Sequence, residues 1–376
     1  MSSNDKYNPF YYSFPTKYCF GKGALNRIES LIDEFSIKNV LILTGKRSSE
    51  QLGIDSRLTK SLKKKGITFK VLKGFCGNPK KSQARYIADV IENDEIEFVI
   101  AVGGGSVIDL AKAAIYYNGK FDIRLGTILT MPASGSEANR SFVLVDNEKG
   151  RKISIADNRI LPLFAICDPN YINNLEEIQL KSCLSDIMGH LLEQYFCKEP
   201  SNYIDIIILS SIQYLDNIAR RILVEGDDIA CWAEDIVLMS SVALSYALSS
   251  GRTMDWFVHE VEHGLSTFSS YSHGLGIAVL MPKWVAYSQK NIYYMDKLNE
   301  LAIYMNLNSV KAAIDYIESF YELAGVPHSL TNLLDCPPCY EELADMILDG
   351  RENLGRVNIM DVNSIIGFLK YTDDCI

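Results

Sequence analysis

Short apolar runs alternate with longer amphipathic segments along the first half of the chain. The runs are rich in β-branched side chains, which predicts strands. These strands are residues 40–44, 68–72, 98–102, 127–131 and 163–167. Between the early runs, apolar residues at helical spacing with charged opposite faces predict helices over 52–65 and 82–93. Strands alternating with helices favour a parallel sheet that is covered on both faces.

The pattern changes after Asp168-Pro169. Just before that point, residues 142–146 and 152–155 are joined by Asn147-Glu148-Lys149-Gly150, which predicts a hairpin. Beyond it, helical periodicity dominates. We expect helices over 180–197, 203–224, 229–250, 254–267, 298–305 and 310–324. The chain therefore divides near residue 171 into an α/β domain, residues 1–171, and an all-helical domain, residues 172–376.

Composition narrows the class of protein. The 376 residues are 48% hydrophobic and carry a net charge of −10, from 37 Lys+Arg against 47 Asp+Glu. This balance argues against wholesale disorder and against a nucleic-acid or anionic-membrane partner. The polar start and the lack of a long apolar span lead us to expect a cytoplasmic protein. The nine cysteines include one close pair, Cys336 and Cys339, which lacks a second pair and is interpreted as a loop.

A glycine-rich turn follows the strand at 98–102. It comprises Gly103, Gly104, Gly105 and Ser106 and leads into a helical pattern. Such a turn lets the backbone approach a diphosphate, which the helix N-terminus then attracts. The third glycine of the G-x-G-x-x-G fingerprint is missing. A diphosphate site and a plain tight turn therefore fit the spacing equally well.

A basic turn follows the strand at 40–44. It comprises Gly45, Lys46, Arg47 and Ser48, at the position where dinucleotide-binding sheets place an acid for the ribose hydroxyls. Two cations and a hydroxyl suit an additional 2′-phosphate instead. By itself, the segment fits a solvated basic turn equally well.

Four of the five histidines fall in two clusters of the second half, His190 in the first and His259, His263 and His273 in the second. Asp186 and His190 are four residues apart on a predicted helix, so both leave the same face. His259 and His263 repeat this spacing, and His273 follows. One carboxylate with two or three imidazoles is a typical shell for Fe²⁺ or Zn²⁺.

The segment from His259 to His263 also fits H-E-x-x-H, the signature of zinc proteases. The extended protease motif needs a glycine and a third histidine, but Ser266 and Ser269 occupy those positions. A protease would also leave the glycine turn unexplained. We therefore disfavour this interpretation.

Taken in order, these motifs make the chain resemble the iron-containing, or group III, alcohol dehydrogenase family. It is most similar to the butanol-dehydrogenase-like aldehyde reductase branch. The matching segments are residues 11–17, 20–23, 103–109, 130–137, 168–169, 186–193, 256–263 and 272–274. The resemblance implies a Rossmann-like dinucleotide-binding domain followed by an all-α metal-binding domain, a fold shared with dehydroquinate synthase.

The resemblance also implies roles for individual residues. The metal ligands would be Asp186, His190, His259 and His273, with His263 beside the nicotinamide as a catalytic proton relay. The cofactor contacts would be Gly45, Lys46, Arg47, Ser48, Gly103, Gly104, Gly105, Ser106, Asp109, Thr130, Ser134, Ser136 and Lys152. The missing acid in the basic turn implies NADP(H) in preference to NAD(H). Similar proteins are commonly homodimers.

We therefore expect a metal-dependent oxidoreductase that transfers a hydride between NADP(H) and a primary alcohol or aldehyde, acting as an aldehyde reductase. One alternative is a polyol dehydrogenase or dehydroquinate synthase-like enzyme of the same fold, and another is a binding protein that has lost catalysis. A third is a reductase for anionic aldehydes, if Arg140 or Arg252 binds a substrate anion. Both arginines also fit surface positions paired with acids. His328 receives no role.

Overall fold

The computed structural model describes residues 13–374 except 76, 121, 149, 267–270, 327–328 and 335–337. Its residues form two compact units, which we call the sheet unit and the helical unit. The sheet unit comprises Ser13–Leu175 together with Ile229–Ser245. The helical unit comprises Glu176–Asp228 and residues 246–374.

The elements follow the alternation seen in the sequence. The strands are β1 Lys17–Phe20, β2 Asn39–Thr44, β3 Thr68–Leu72, β4 Phe98–Gly103, β5 Arg124–Leu129, β6 Ser141–Asp146, β7 Arg151–Ala156 and β8 Phe164–Cys167. The helices of the sheet unit are α1 Ile28–Glu34, α2 Ser48–Gln51, α3 Ile54–Lys64, α4 Lys81–Asn93, α5 Gly105–Asn118 and α8 Ala233–Ala243.

The helical unit contains no strand among its described residues. Its helices are α6 Glu177–Tyr195, α7 Asn202–Leu223, α9 Tyr246–Ser249, α10 Phe257–Leu265, α11 His273–Ser288, α12 Ile292–Tyr304, α13 Val310–Glu322, α14 Leu330–Leu334, α15 Tyr340–Leu348 and α16 Val362–Asp374. None of the described helices is long and apolar enough to cross a membrane. The expected fold class, an α/β domain followed by a helical one, is confirmed.

Six parallel strands form the main sheet in the order β1-β8-β5-β4-β2-β3. Strand β4 is buried along its whole length, as a continuous apolar run in a covered parallel sheet should be. The hairpin β6–β7 is a separate antiparallel pair. Strand β1 was not predicted, because it has four residues, lies at the sheet edge and buries only Cys19.

The order of strands defines a topological switch point. Strand β2 is followed by its neighbour β3 on one side, and the chain then returns to β4 on the other side of β2. The chain continues outward from β4 to β5 and β8. Open α/β sheets bind ligands where the order reverses, outside the carboxyl ends of the strands. Here that place lies at the ends of β2 and β4.

One segment departs from the predicted layout. The sequence predicts a single helix over 229–250 in the helical half, but the structure breaks it into a 3-10 turn Ile229–Cys231, α8 and α9. Helix α8 packs against the 3-10 turn Pro169–Ile172 of the sheet unit. The apolar face of α8 therefore finds its partner far away in sequence, which local periodicity does not reveal.

Candidate metal and cofactor sites

Three helices of the helical unit bring together one carboxylate and three imidazoles. Asp186 and His190 share a face of α6, and both side chains are almost fully buried. His259 lies in the first turn of α10, and His273 begins α11. The structure thus assembles all four residues that the resemblance implies as metal ligands.

The distances within this cluster suit a bound cation. Asp186 Oδ1 lies 3.6 Å from Nε2 of His190, 3.6 Å from Nε2 of His259 and 3.5 Å from Nε2 of His273. These distances are longer than the donor–acceptor distances of ordinary hydrogen bonds. Ligand atoms held tetrahedrally at 2.0–2.1 Å from an ion would lie about 3.4 Å apart.

Two buried polar atoms of the cluster support the same interpretation. Asp186 Oδ1 and His259 Nε2 are buried and have no hydrogen-bond partner among the described residues. Burying such atoms without a partner is costly. An N₃O donor set that leaves them unsatisfied fits a divalent transition-metal ion.

Two glutamates hold the outer nitrogens of the imidazoles. Nδ1 of His259 is hydrogen-bonded to Glu193, and Nδ1 of His273 is hydrogen-bonded to Glu262. Because a carboxylate only accepts, each Nδ1 carries a hydrogen, and Nε2 is the nitrogen of each ring that faces the cluster. Glu193 also accepts the backbone N–H of Val258 at 2.7 Å, which fixes the start of α10.

Neither glutamate has a role assigned from the sequence. Glu193 lies three residues after His190, within the matching segment 186–193, and Glu262 lies within the segment 256–263. Carboxylates that orient metal-binding imidazoles are common partners in such sites. A search for acids one helical turn from each candidate ligand would have found Glu193.

The charges in the cluster are strongly coupled. Burial tends to raise the pKa of Asp186, but the charges of His190, His273 and His259 hold it well below its usual range. Burial tends to lower the pKa of His259, while Glu193 and Asp186 raise it to about 10. At neutral pH, a cation that binds Nε2 of His259 would therefore displace a proton.

Aromatic packing fixes the rings further. The imidazoles of His190 and His259 stack with centroids 4.7 Å apart. Trp256 adopts a left-handed backbone conformation, φ +58°, directly before α10, and its ring lies 5.3 Å from that of His259. Asp255 supports this turn, because its Oδ1 accepts the backbone N–H of Arg356 at 2.8 Å.

His263, the predicted proton relay, lies beside the cluster rather than within it. Its ring stacks on that of His273 with centroids 5.4 Å apart, and its side chain is partly exposed. His263, His273 and Glu262 also offer ligand atoms within 4.8 Å of one another. Its catalytic role stays a prediction.

The glycine turn lies at the switch point of the sheet unit. Strand β4 ends at Gly103, and α5 begins at Gly105. A Cβ at Gly103 would lie 2.6 Å from Val107, and a Cβ at Gly105 would lie 2.5 Å from Ser134 Oγ. Glycine at 103 avoids a clash with the branched Val107 side chain, and glycine at 105 leaves room for the Ser134 hydroxyl. The first N–H groups of a helix such as α5 have no acceptor within the helix.

The basic turn lies at the same edge. Thr44, the last residue of β2, pairs with Val102 of β4, so the two turns are neighbours. Gly45 is buried, whereas Lys46 and Arg47 are exposed. Ser48 begins the short helix α2.

The remaining predicted cofactor contacts surround the glycine turn. Thr130 follows β5, and its backbone N–H donates to Gly103 at 3.0 Å. The carboxylate of Asp109 accepts from Ser136 Oγ at 2.6 Å and from the backbone N–H of Val143 at 2.9 Å. Burial raises the pKa of Asp109.

The positive charge of Lys152 on β7 lowers the pKa of Asp109 and so partly offsets the effect of burial. Whether these residues contact a cofactor directly stays a prediction.

A buried lysine that was not predicted from the sequence, Lys112, lies next to these residues. Lys112 of α5 has no exposed surface, and its Nζ donates to Ser136 Oγ, Asn139 Oδ1 and the carbonyl of Ser141. In the sequence it looked like one polar residue of an apolar helix. No local signal shows that its three acceptors lie 24 to 29 residues ahead.

The two arginines singled out in the sequence have different surroundings. The side chain of Arg252 is fully buried and forms an ion pair with Asp205. Arg140 is exposed and donates to Asn158 Oδ1 at 2.8 Å. The burial of Arg252 removes it as a substrate anchor, while the anion-binding role of Arg140 stays a prediction.

The predicted loop around the cysteine pair is only partly covered by the structure. Cys336 and His328 lie outside the described residues, and Cys339 is exposed.

Two family models match the chain. One describes the iron-containing alcohol dehydrogenases and matches residues 15–169. The other describes the C-terminal part of the same family and matches residues 182–365. Together they span both units described above.

Individual relatives agree with these matches. The NADH-dependent butanol dehydrogenase A of Clostridium acetobutylicum is 29% identical over 85% of this chain and 88% of its own length. The NADPH-dependent aldehyde reductase YqhD of Escherichia coli is 26% identical over 86% of this chain and 89% of its own. The crystal structure of a butanol dehydrogenase A from Thermotoga maritima matches with a TM-score of 0.89 at 24% identity. This match covers 97% of this chain and 98% of that one, and it shows the fold.

Proposed function

Since the chain belongs to the iron-containing alcohol dehydrogenase family, we propose that it acts as an NADPH-linked, metal-dependent reductase of small primary aldehydes. At the family level it is an oxidoreductase that uses NAD(P) and a divalent metal ion. The observation that carries the proposal is the buried oxygen of Asp186, faced by three imidazole nitrogens and left without a hydrogen-bond partner.

The ion would be held by Asp186, His190, His259 and His273, and either Fe²⁺ or Zn²⁺ suits this donor set. When bound, such an ion supplies Lewis-acid stabilisation of the negative charge on the reacting oxygen. Glu193 and Glu262 keep the imidazoles of His259 and His273 oriented for it.

The reaction adds one hydride and one proton. A hydride from the reduced nicotinamide would go to the carbonyl carbon and a proton to the oxygen, which would give the alcohol and NADP⁺. His263 is a candidate donor of that proton, because an imidazole can exchange protons near neutral pH and this one is partly exposed.

The sheet unit contributes the groups for the dinucleotide. The glycine turn and the N-terminus of α5 would bind the diphosphate. Lys46 and Arg47, exposed at the end of β2, would bind a 2′-phosphate, since the basic turn has no acid to accept ribose hydroxyls. Of the two relatives described above, the butanol dehydrogenase is named NADH-dependent and YqhD NADPH-dependent, so the preference needs a direct test.

The preference can be tested by replacing the two cations. We expect Arg47→Ala and Lys46→Ala each to lower kcat/KM for NADPH about 10- to 100-fold, because each loses one charge-assisted contact. The kcat/KM for NADH should hardly change in either variant. Lys38→Ala is the matched control, since Lys38 is an exposed lysine at the opposite end of β2.

The measurement is NADPH and NADH oxidation during reduction of butanal by each variant. Wild-type protein that prefers NADH, or variants that lose both cofactors equally, would contradict NADPH as the cofactor. Homodimer formation and a cytoplasmic location stay predictions from the sequence.

A further inference from the structure

We propose that Lys112 is a positioning residue for the dinucleotide, which holds residues 131–139 against the glycine turn and releases them when its ammonium loses a proton. The proposal rests on the proposed function, because it assumes that a nicotinamide cofactor binds at this turn. Residues 131–139 are called the serine loop below.

Lys112 holds the serine loop through two hydrogen bonds and the start of β6 through a third. Its Nζ lies 2.9 Å from Ser136 Oγ, 2.9 Å from Asn139 Oδ1 and 2.8 Å from the carbonyl of Ser141. An ammonium has three hydrogens, so the charged form satisfies all three acceptors at once. The Ser136 hydroxyl then donates its own hydrogen to Asp109.

The anchor reaches the glycine turn through the loop itself. Asn139, held by Lys112, donates from Nδ2 to the carbonyl of Ser134 at 3.4 Å. The Ser134 side chain sits where a Cβ of Gly105 would be, and Met131 packs against Gly104 in the same way. A lysine two turns into α5 thereby fixes the loop that packs against the start of the same helix.

The far side of the serine loop is also held. Gly135 has a left-handed conformation, φ +58°, and a Cβ there would lie 3.2 Å from the carbonyl of Ser240 on α8. Ser241 of the same helix donates to the buried carboxylate of Glu137, and the Tyr18 hydroxyl lies 2.6 Å from Ser241 Oγ. The anchor from Lys112 therefore acts on a loop whose other face is already fixed.

The charges around Lys112 set its titration. Burial lowers the pKa of Lys112 to about 8, although Asp109 on its own helix and Glu137 on the serine loop act in the opposite direction. Lys152 on β7 faces Asp109 from the hairpin. Deprotonation leaves two hydrogens for three acceptors, so one of the hydrogen bonds that hold the loop and the start of β6 is lost.

Loosening of the loop is distinct from unfolding. The pKa of Lys112 is lower in the folded protein than the 10.5 of a free lysine. Between about pH 8 and 10.5 the unfolded chain therefore binds the extra proton, and the contribution of this group to the free energy of unfolding rises with pH. Weaker cofactor binding above pH 8 should thus appear without a loss of stability from this group.

The test compares NADPH binding by wild type and Lys112→Met between pH 7 and 9.5, measured as the Kd from nicotinamide fluorescence. We expect the wild-type Kd to rise about three- to tenfold with a midpoint near pH 8, as for the loss of one hydrogen bond. Lys112→Met should bind weakly at pH 7 with no such midpoint. Its KM for NADPH should rise while its kcat is retained.

Lys38→Met is the control and should keep the wild-type profile. If Lys112→Met does not fold because Asp109 is left uncompensated, the double variant Lys112→Met/Asp109→Asn removes both buried charges and should again lack the midpoint. A variant that folds and keeps the wild-type Kd and pH profile would overturn the role of Lys112 and leave the proposed function standing. Wild-type protein that binds neither NADPH nor NADH would overturn the proposed function, and this proposal with it.

Discussion

At the residue scale, the metal cluster depends on which nitrogen of each imidazole is free. Glu193 and Glu262 bind the Nδ1 atoms of His259 and His273, so the Nε2 atoms face Asp186. Both carboxylates are buried. Each ring is thereby held in one tautomer and one orientation, which lowers the entropy that a metal ion must overcome on binding.

Replacing Glu193 by glutamine should therefore weaken the metal site without removing a ligand. The amide can rotate to offer either a donor or an acceptor, so the Nδ1 hydrogen of His259 is no longer specified. We expect Glu193→Gln to raise the Kd for Zn²⁺ about 10- to 100-fold, measured by competition with a chromogenic chelator.

Glu177→Gln is the matched control, because Glu177 lies in the first turn of the same helix and is largely exposed. It should bind zinc like the wild type. Equal zinc affinity of Glu193→Gln and wild type would show that Glu193 does not orient a metal ligand.

Buried charges mark the limit of prediction from the sequence at this scale. Asp186, His190 and the later histidines could be singled out because helical spacing places them on common faces. The burial and the partners of Arg252 and Lys112 could not be predicted, since tertiary packing fixes them: Asp205 lies 47 residues before Arg252, and Ser136 lies 24 residues after Lys112. Both arrangements are visible only once the helices are placed.

At the scale of elements, helices α6 and α11 form the frame of the metal cluster. They pack closely, and they carry Asp186, His190 and His273. The contact is tightest at Gly274, where an added Cβ would lie 1.9 Å from the backbone oxygen of Ser182. A methyl group at residue 274 would have to displace the backbone of α6 or α11, because a backbone oxygen cannot rotate away as a side chain can.

Gly274→Ala should therefore destabilise the protein and the metal site together. We expect a loss of about 1–3 kcal/mol or more in the free energy of unfolding, the usual effect of overpacking, measured by urea denaturation. Gly367→Ala is the matched control. It lies in α16, and its nearest contact is the movable hydroxyl of Tyr287 at 3.3 Å.

The control should be neutral or stabilising, since alanine favours a helix by about 1 kcal/mol over glycine. A Gly274→Ala variant with wild-type stability and zinc affinity would mean that the α6–α11 contact is looser than described.

The central strands could be predicted from the sequence, whereas α11 could not. Strands β2 and β4 are apolar, short and bounded by glycine, so their identity and position follow from local pattern. Helix α11 is apolar on nearly all sides because it is buried along most of its length, and it therefore shows no periodicity. Its only sequence marker is His273 at its start.

At the scale of the whole molecule, each unit holds a separate part of the proposed chemistry. The glycine turn, the basic turn and Lys112 all belong to the sheet unit. Asp186, the histidines and their glutamates all belong to the helical unit. Binding of the dinucleotide should therefore persist when the metal is removed, whereas turnover should not.

The most direct test of the account is a metal titration of the stripped enzyme. Protein treated with a chelator is supplied with Fe²⁺ or Zn²⁺ while NADPH oxidation by butanal is followed, and the Kd for NADPH is measured before and after. We predict no turnover without metal, recovery that saturates at one ion per chain, and an unchanged Kd for NADPH. Full turnover by protein shown to be free of metal would contradict the central claim.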